Sequence, residues 1–334
     1  MTQTIRIGLL RLADSAPVLV ARNAGLFARH GIDAEIVVAP SWANIADGLA
    51  WNGLDAALIF PPLAIMTALG QRGRDIGLRL ALPVSRGGNM VVLRGAARPD
   101  LMWTPGPAGR RAFETWRAGI GRRPKLAVVH IYSTHLLILT RFLKAIGVSA
   151  EDDTEIVVMP PDRITDALRD GAIDGFCAGP PWGEDACLQG LGFAVAGSES
   201  VCPGHIEKSF ALTDRWAAPH AQAVPGLLGA LRAAIGLCMD PARGDAIAAQ
   251  LAAPLAEGGL ALPLRATRAV MPGRPGTDRM VFGDGAADRI GSGRIGLDWI
   301  GLDWILADMR AHGWLDEADI ARLDMLGRRE NAVT

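Results

Sequence analysis

The chain has 334 residues and a formal charge of -1, from 34 basic and 35 acidic side chains, and half of it is apolar. That length and apolar share can bury a substantial core in two domains or two lobes of one unit, while the balanced charge excludes a field that would recruit nucleic acid or an anionic membrane. Four cysteines, Cys177, Cys187, Cys202 and Cys238, form no Cys-x-x-Cys pair and read as structural thiols; Cys202-x-x-His205 lacks the second pair a metal site needs.

The first predicted strand, TIRIGLLRL, alternates Ile5, Ile7 and Leu9 with polar or small residues. It starts so near Met1 that no charged, apolar and cleavable leader fits before it, and a cytoplasmic location is expected. Val18, Leu19, Ala21 and Leu26 then recur at helical spacing as far as Gly31, with Asp14 or Ser15 as the cap and Pro17 in the first turn. The stretch EIVVAPSWANIADGLAWNGLDAALIFPP, Glu35 to Pro62, reads as strand, helix, strand. Ser41 is placed as a helix cap and Trp42 in the first helical turn, just past the carboxyl end of a strand. The following apolar run, AALIFPPLAIMTAL, is broken by prolines and too short for a membrane span. GGNMVVLRG, which contains Gly87, Gly88 and Asn89, is expected to carry the chain out to a second lobe.

Beyond it the pattern returns. EIVVMPPDRITDALRDGAIDGFCAGPPW, Glu155 to Trp182, repeats the earlier stretch, with Ile45, Asp47, Leu49, Asp55, Pro61 and Pro62 matched at an offset of 119 by Ile164, Asp166, Leu168, Asp174, Pro180 and Pro181. Upstream, KLAVVHI and THLLILTRFLKAIGV echo the first strand and helix, with Ser133 or Thr134 as cap and Gly147 as stop. Each copy is therefore β-α-β-α-β, and the expected fold is α/β and two-lobed, with an open parallel sheet in each lobe and a ligand cleft beyond the carboxyl ends of the strands. EKSFALTDRW is expected to bring the chain back, giving residues 1–96 to the first lobe, 97–200 to the second, and 201–334 to the return and C-terminal helices. The two crossings would act as a hinge.

In the second copy His135 follows its strand and cap as Trp42 does in the first, so both are placed at the cleft, where unpaired helix N–H groups suit a small anion. An aromatic packed over the helix start remains the alternative for Trp42. His30, His220 and His312 read as structural histidines, and the remaining tryptophans as core or partner contacts. Lysine occurs only at Lys125, Lys144 and Lys208; the last lies where a loop turns into the returning strand and could neutralise a monoanion, with a surface salt bridge to Glu207 or Asp185 as the alternative. Asp47, Asp55, Asp166 and Asp174 suit turn or cap roles. Neither Gly-x-Gly-x-x-Gly after the first strand, nor a phosphate loop, nor Gly-x-Ser-x-Gly, nor His-Glu-x-x-His is present, so no enzyme activity and no cofactor are expected.

Five stretches in this order, GLLRLADSAPVLVARNAGLFARHGIDAEI, PSWANIADGLAWNGLDAAL, GGNMVVL, DGFCAGPPW and GHIEKSFAL, resemble the nitrate/nitrite-binding branch of the periplasmic-binding-protein-like family over about residues 4–255. The Ser-Trp-Ala-Asn and His-x-Glu-Lys elements are its specific parts. The resemblance implies nitrate or nitrite held between the lobes near Trp42, His135, Gly179 and Lys208, with Ser41, Thr134, Gly87, Gly88 and Asn89 close by. Related bicarbonate binders carry an acidic residue where Lys208 stands, which lets calcium join their site, so Lys208 points to an anion site without metal. Within the branch, the absent leader implies the cytoplasmic sensors of assimilation operons, whose partner is an RNA-binding antiterminator of the response-regulator type (NasT-like). The chain departs from the family where Pro180 replaces a customary Glu, and from about Pro263 onward, where the pentapeptide Ile295 to Trp299 is repeated in tandem as Ile300 to Trp304.

Overall fold

The computed structural model describes residues 2–273, 280–283 and 302–328. Strands β1 (Gln3–Leu9), β2 (Ile32–Val38), β3 (Ala56–Ile59), β4 (Leu78–Arg86), β5 (Met90–Arg94), β6 (Lys125–Val128), β7 (Glu155–Val158), β8 (Gly175–Ala178), β9 (Gly192–Gly197), β10 (Ile206–Thr213) and β11 (Val281–Phe282) form two separate sheets. The first has the order β11-β4-β10-β3-β1-β2 and the second β7-β6-β8-β5-β9. The molecule is thus an α/β protein of two lobes.

The internal repeat extends to backbone pairing. In the first sheet β1 pairs in parallel with β3 through Ile7 opposite Ala56, and in the second β6 pairs with β8 through Leu126 opposite Gly175, the same register moved by 119 residues. Arg6 opposite Glu35 has its counterpart in Lys125 opposite Glu155, where the second copy is one residue longer between the strands. Matched aspartates serve matched structural roles. Asp55 accepts the Arg6 N–H at 3.0 Å and Asp174 the Lys125 N–H at 2.8 Å, each pinning the strand beside it.

Both sheets are mixed rather than purely parallel. β10 runs antiparallel to β3 and β4, and β5 antiparallel to β8 and β9, because the crossing segments return against the direction of the repeat strands. The outward crossing is confined to Gly87–Asn89, between β4 and β5. Met90 to Arg94, upstream of the residue 97 boundary read from the sequence, therefore pairs within the second sheet. Gly88 has φ +83, and a Cβ there would lie 2.9 Å from Met280 Cβ, so the crossing needs a residue without a side chain.

The first helix covers Ala16–Asn23 and stops well before Gly31, because Gly25 turns the chain at φ +66; a short 3₁₀ turn, Ala28–His30, precedes Gly31. Neither proposed cap of that helix acts as one: Ser15 Oγ donates back to the Leu10 carbonyl at 3.0 Å, and Asp14 is turned elsewhere. The long helix Val224–Met239 packs on Ala16–Asn23, and the helix Asp303–Ala311 touches both the first-lobe helix Pro61–Ala68 and the second-lobe helix Thr134–Ala145. The first copy of the tandem pentapeptide lies outside the described residues; of the second, Leu302 and Asp303 precede Trp304 at the start of this bridging helix. No helix among the described residues is long and apolar enough to cross a membrane.

Candidate functional site

Ser41 and Ser133 start the two helices that frame the site. Each side chain accepts a helix N–H three residues on, from Asn44 at 3.3 Å and from Leu136 at 3.1 Å. These local bonds place Trp42 first in its helix and Thr134 and His135 first and second in theirs, all three buried. Trp42 packs on Phe60 with ring centroids 4.4 Å apart, and Phe60 meets the His135 ring edge-on at 5.8 Å. A continuous aromatic wall therefore runs from one lobe to the other.

Lys208, on β10, is fully buried against this wall, its ammonium 5.2 Å from the Trp42 ring and 5.6 Å from that of Phe60. It makes no surface salt bridge. It lies 2.5 Å from Glu207 Oε1 and 3.1 Å from Asp14 Oδ2, both enclosed with it, whereas Asp185 accepts the Gln189 side-chain amide at 2.9 Å. Burial opposes the Lys208 charge, but Asp14 and Glu207 outweigh it and raise the ammonium from its ordinary value.

Glu207 is the hub of the cluster. Its Oε2 accepts Thr134 Oγ1–H at 2.7 Å and Asn89 Nδ2–H at 2.5 Å and lies 3.2 Å from His205 Nε2, while Oε1 lies 3.3 Å from His135 Nε2. Burial alone would raise this carboxyl; Lys208 first, then the surrounding imidazoles, holds it well below the usual carboxylate range. Burial lowers His135 to about 3, so its imidazole is neutral at ordinary pH and offers one donor and one acceptor.

Several polar atoms of this enclosed region have no hydrogen-bond partner among the described residues. They are Trp42 Nε1, Asn89 Oδ1, both ring nitrogens of His135, whose Nε2 is near Glu207 Oε1 without bonding it, and Asp14 Oδ2, whose contact is the Lys208 ion pair. Buried polar groups are nearly always satisfied, so such a concentration marks a place where something polar is to be held. Gly179 borders it: a Cβ on that residue would stand 3.4 Å from Asn89 Oδ1 and 3.5 Å from His135 Nε2. Gly87 and Gly88 form the adjoining crossing and offer backbone only, with the Gly87 N–H donated to the His205 carbonyl at 3.4 Å.

The structure thus brings Trp42, Thr134, His135, Gly179, Asn89 and Lys208 together, with Ser41, Gly87 and Gly88 as supports. Sequence reading passed over Phe60, Asp14, Glu207 and His205. The last two belong to the quoted His-x-Glu-Lys element, whereas Asp14 carried only the signal of a helix cap.

Two α/β lobes joined by paired crossings, with an enclosed polar cluster between their helix N-termini, define a two-lobed fold of the periplasmic-binding-protein type. The chain belongs to the NMT1-like family, whose model matches residues 1–253. It is 31% identical over 243 residues to the bicarbonate transport ATP-binding protein CmpC of Synechococcus elongatus, covering 72% of this chain and 36% of that protein. It is 28% identical over 249 residues to the nitrate/nitrite binding protein NrtA of the same organism, covering 72% of this chain and 56% of that one. The chain therefore spans from about a third to just over half the length of these curated relatives. Its fold superposes on the crystal structure of the periplasmic nitrate-binding protein NrtA from Synechocystis PCC 6803 with a TM-score of 0.81, at 21% identity, over 98% of this chain and 87% of that one.

Proposed function

We propose that the chain is the oxyanion-binding component of an import system and takes nitrate or nitrite in the enclosed cluster between its lobes. The observation that carries this reading is the set of unpartnered polar atoms around Lys208, with Trp42 contributed by the second helix of the first repeat and His135 by the first helix of the second. A small planar anion offers acceptors to the Trp42 indole N–H and the His135 imidazole N–H, and the buried ammonium supplies the only lysine charge in the cluster. Relatives named for bicarbonate transport and for nitrate/nitrite binding support the class. Lys208, by the resemblance set out above, favours nitrate or nitrite over bicarbonate.

The regulatory reading, a cytoplasmic NasS-like sensor exchanging an RNA-binding NasT-like antiterminator, ranks second, because the relatives are named for bicarbonate transport and nitrate/nitrite binding and only the resemblance in the sequence supports a sensor. A thermal-shift panel of nitrate, nitrite, bicarbonate and an alkanesulfonate tests the ligand class. Stabilisation by nitrate or nitrite is expected; a response to the sulfonate alone would sink this reading. Co-purification with and without millimolar nitrate separates the roles, since a nitrate-released RNA-binding protein would favour the sensor.

A further inference from the structure

The charges around Lys208 do not balance for an incoming anion. One ammonium is already shared by two enclosed carboxylates, Asp14 Oδ2 at 3.1 Å and Glu207 Oε1 at 2.5 Å. A monoanion added to this group would be a third negative charge beside one positive charge, with no solvent to screen it; uncompensated charge in such surroundings is costly enough that titratable groups neutralise instead. Hydrogen-bond polarity raises the same difficulty. Ionised Asp14 is acceptor-only, and so are nitrate and nitrite.

We propose that the oxyanion enters together with one proton, and that Asp14 takes that proton and frees Lys208 for the ligand. This rests on the oxyanion reading given above. Of the two carboxylates, Glu207 is held ionised by the Thr134 hydroxyl, the Asn89 amide and Lys208, whereas Asp14 Oδ2 has Lys208 alone. The charged and titratable groups facing Asp14 are Lys208 and Glu207 on β10; His135, on the second-lobe helix, and His205, ahead of β10, touch Glu207. Burial, reinforced by Glu207, pushes the Asp14 carboxyl up from its ordinary value in spite of Lys208. Once protonated, Asp14 becomes a donor able to face an acceptor-only ligand. The turn that carries it is fixed to the second lobe by the Ala13 N–H, donated to the Pro180 carbonyl at 2.9 Å beside Gly179.

Calorimetry of nitrate binding to the full chain tests this, because nitrate itself takes up no proton in the working range. Titrations in two buffers of different ionisation enthalpy at about pH 7 should report uptake of up to one proton per nitrate. The dissociation constant should rise by up to about tenfold per pH unit across part of the range from about pH 5.5 to about pH 8.5. Asp14→Asn, or Asp14→Ser as a second neutral variant, should abolish the slope and bind more tightly than wild type at the alkaline end. Nitrate binding that is flat in pH, or an undiminished slope in both variants, overturns this inference alone. Binding of neither nitrate nor nitrite at any pH overturns the oxyanion reading and this inference with it.

Discussion

Glu207 Oε2 accepts the Thr134 hydroxyl across 2.7 Å, so a carboxylate on a first-lobe strand is held by the first residue of a second-lobe helix. Glu207→Ala would strip this contact and leave Lys208, Asn89 and His205 facing one another without their common acceptor. Removing one member of a buried ion pair typically costs about 3–5 kcal/mol, and a loss in that range is expected in urea denaturation. Thr134→Val removes one charge-assisted bond and should cost about 1.5–3 kcal/mol. A Glu207→Ala protein as stable as wild type would show that the cluster is not held through this residue.

Trp42→Phe separates ring from donor. The ring keeps its contact with Phe60, while the unpartnered Nε1–H is lost. Thermal stability should change little, and nitrate affinity should fall about fivefold to tenfold, the worth of one hydrogen bond of about 1–1.4 kcal/mol. Unchanged affinity would place the anion away from the indole.

Lys208→Met keeps an apolar stem beside Trp42 and Phe60 but removes the charge shared by Asp14 and Glu207. Nitrate binding measured on the folded protein should weaken at least about tenfold, since losing one partner of a desolvated charge pair typically costs about 2–5 kcal/mol. Wild-type affinity would remove Lys208 from the site.

Arg141, on the second-lobe helix, holds Asp308 of the bridging C-terminal helix through two bonds of 2.5 and 2.9 Å and lies 4.9 Å from the Trp304 ring. Arg141→Ala should raise amide exchange across Asp303–Ala311 while leaving global stability within about 1–2 kcal/mol, because the pair is partly exposed. Exchange that stays as slow as in wild type would assign the docking of this helix to Leu302, Ile305 and Met309 alone, which are fully buried.

Burial lowers His130 from its ordinary 6.5 to about 4, with Arg72 adding to the effect. The unfolded chain takes up that proton first, so the stability this residue contributes is complete above about pH 6.5 and is lost as pH falls toward 4, by at most about 1.4 kcal/mol per pH unit. His130→Asn preserves an acceptor for the Tyr132 N–H, bonded to Nδ1 at 3.0 Å, and should show a shallower loss between pH 6.5 and about pH 4.5. Identical slopes for the two proteins would contradict this account.

Local rules in the sequence settled a good deal of the molecule. Ile5, Ile7 and Leu9 alternate and are all buried; Ser41 and Ser133 cap because the bond to a helix N–H three residues on needs nothing distant; and Trp42 and His135 each come just after a strand and its serine cap. The helix end at Gly25 rather than Gly31 went unread because either glycine could have stopped that helix, and periodicity does not choose between them. Tertiary structure decided the chemistry of the cluster. Asp14 looked like a cap and became the partner of Lys208, Glu207 became an acceptor for side chains from both lobes, and Phe60 completed the aromatic wall. Caps and alternation follow from bonds a few residues long, whereas the ion pair between Asp14 and Lys208 depends on the returning strand β10 joining the first sheet two places from β1, which brings segments far apart in the chain within 3.1 Å and which no local pattern encodes.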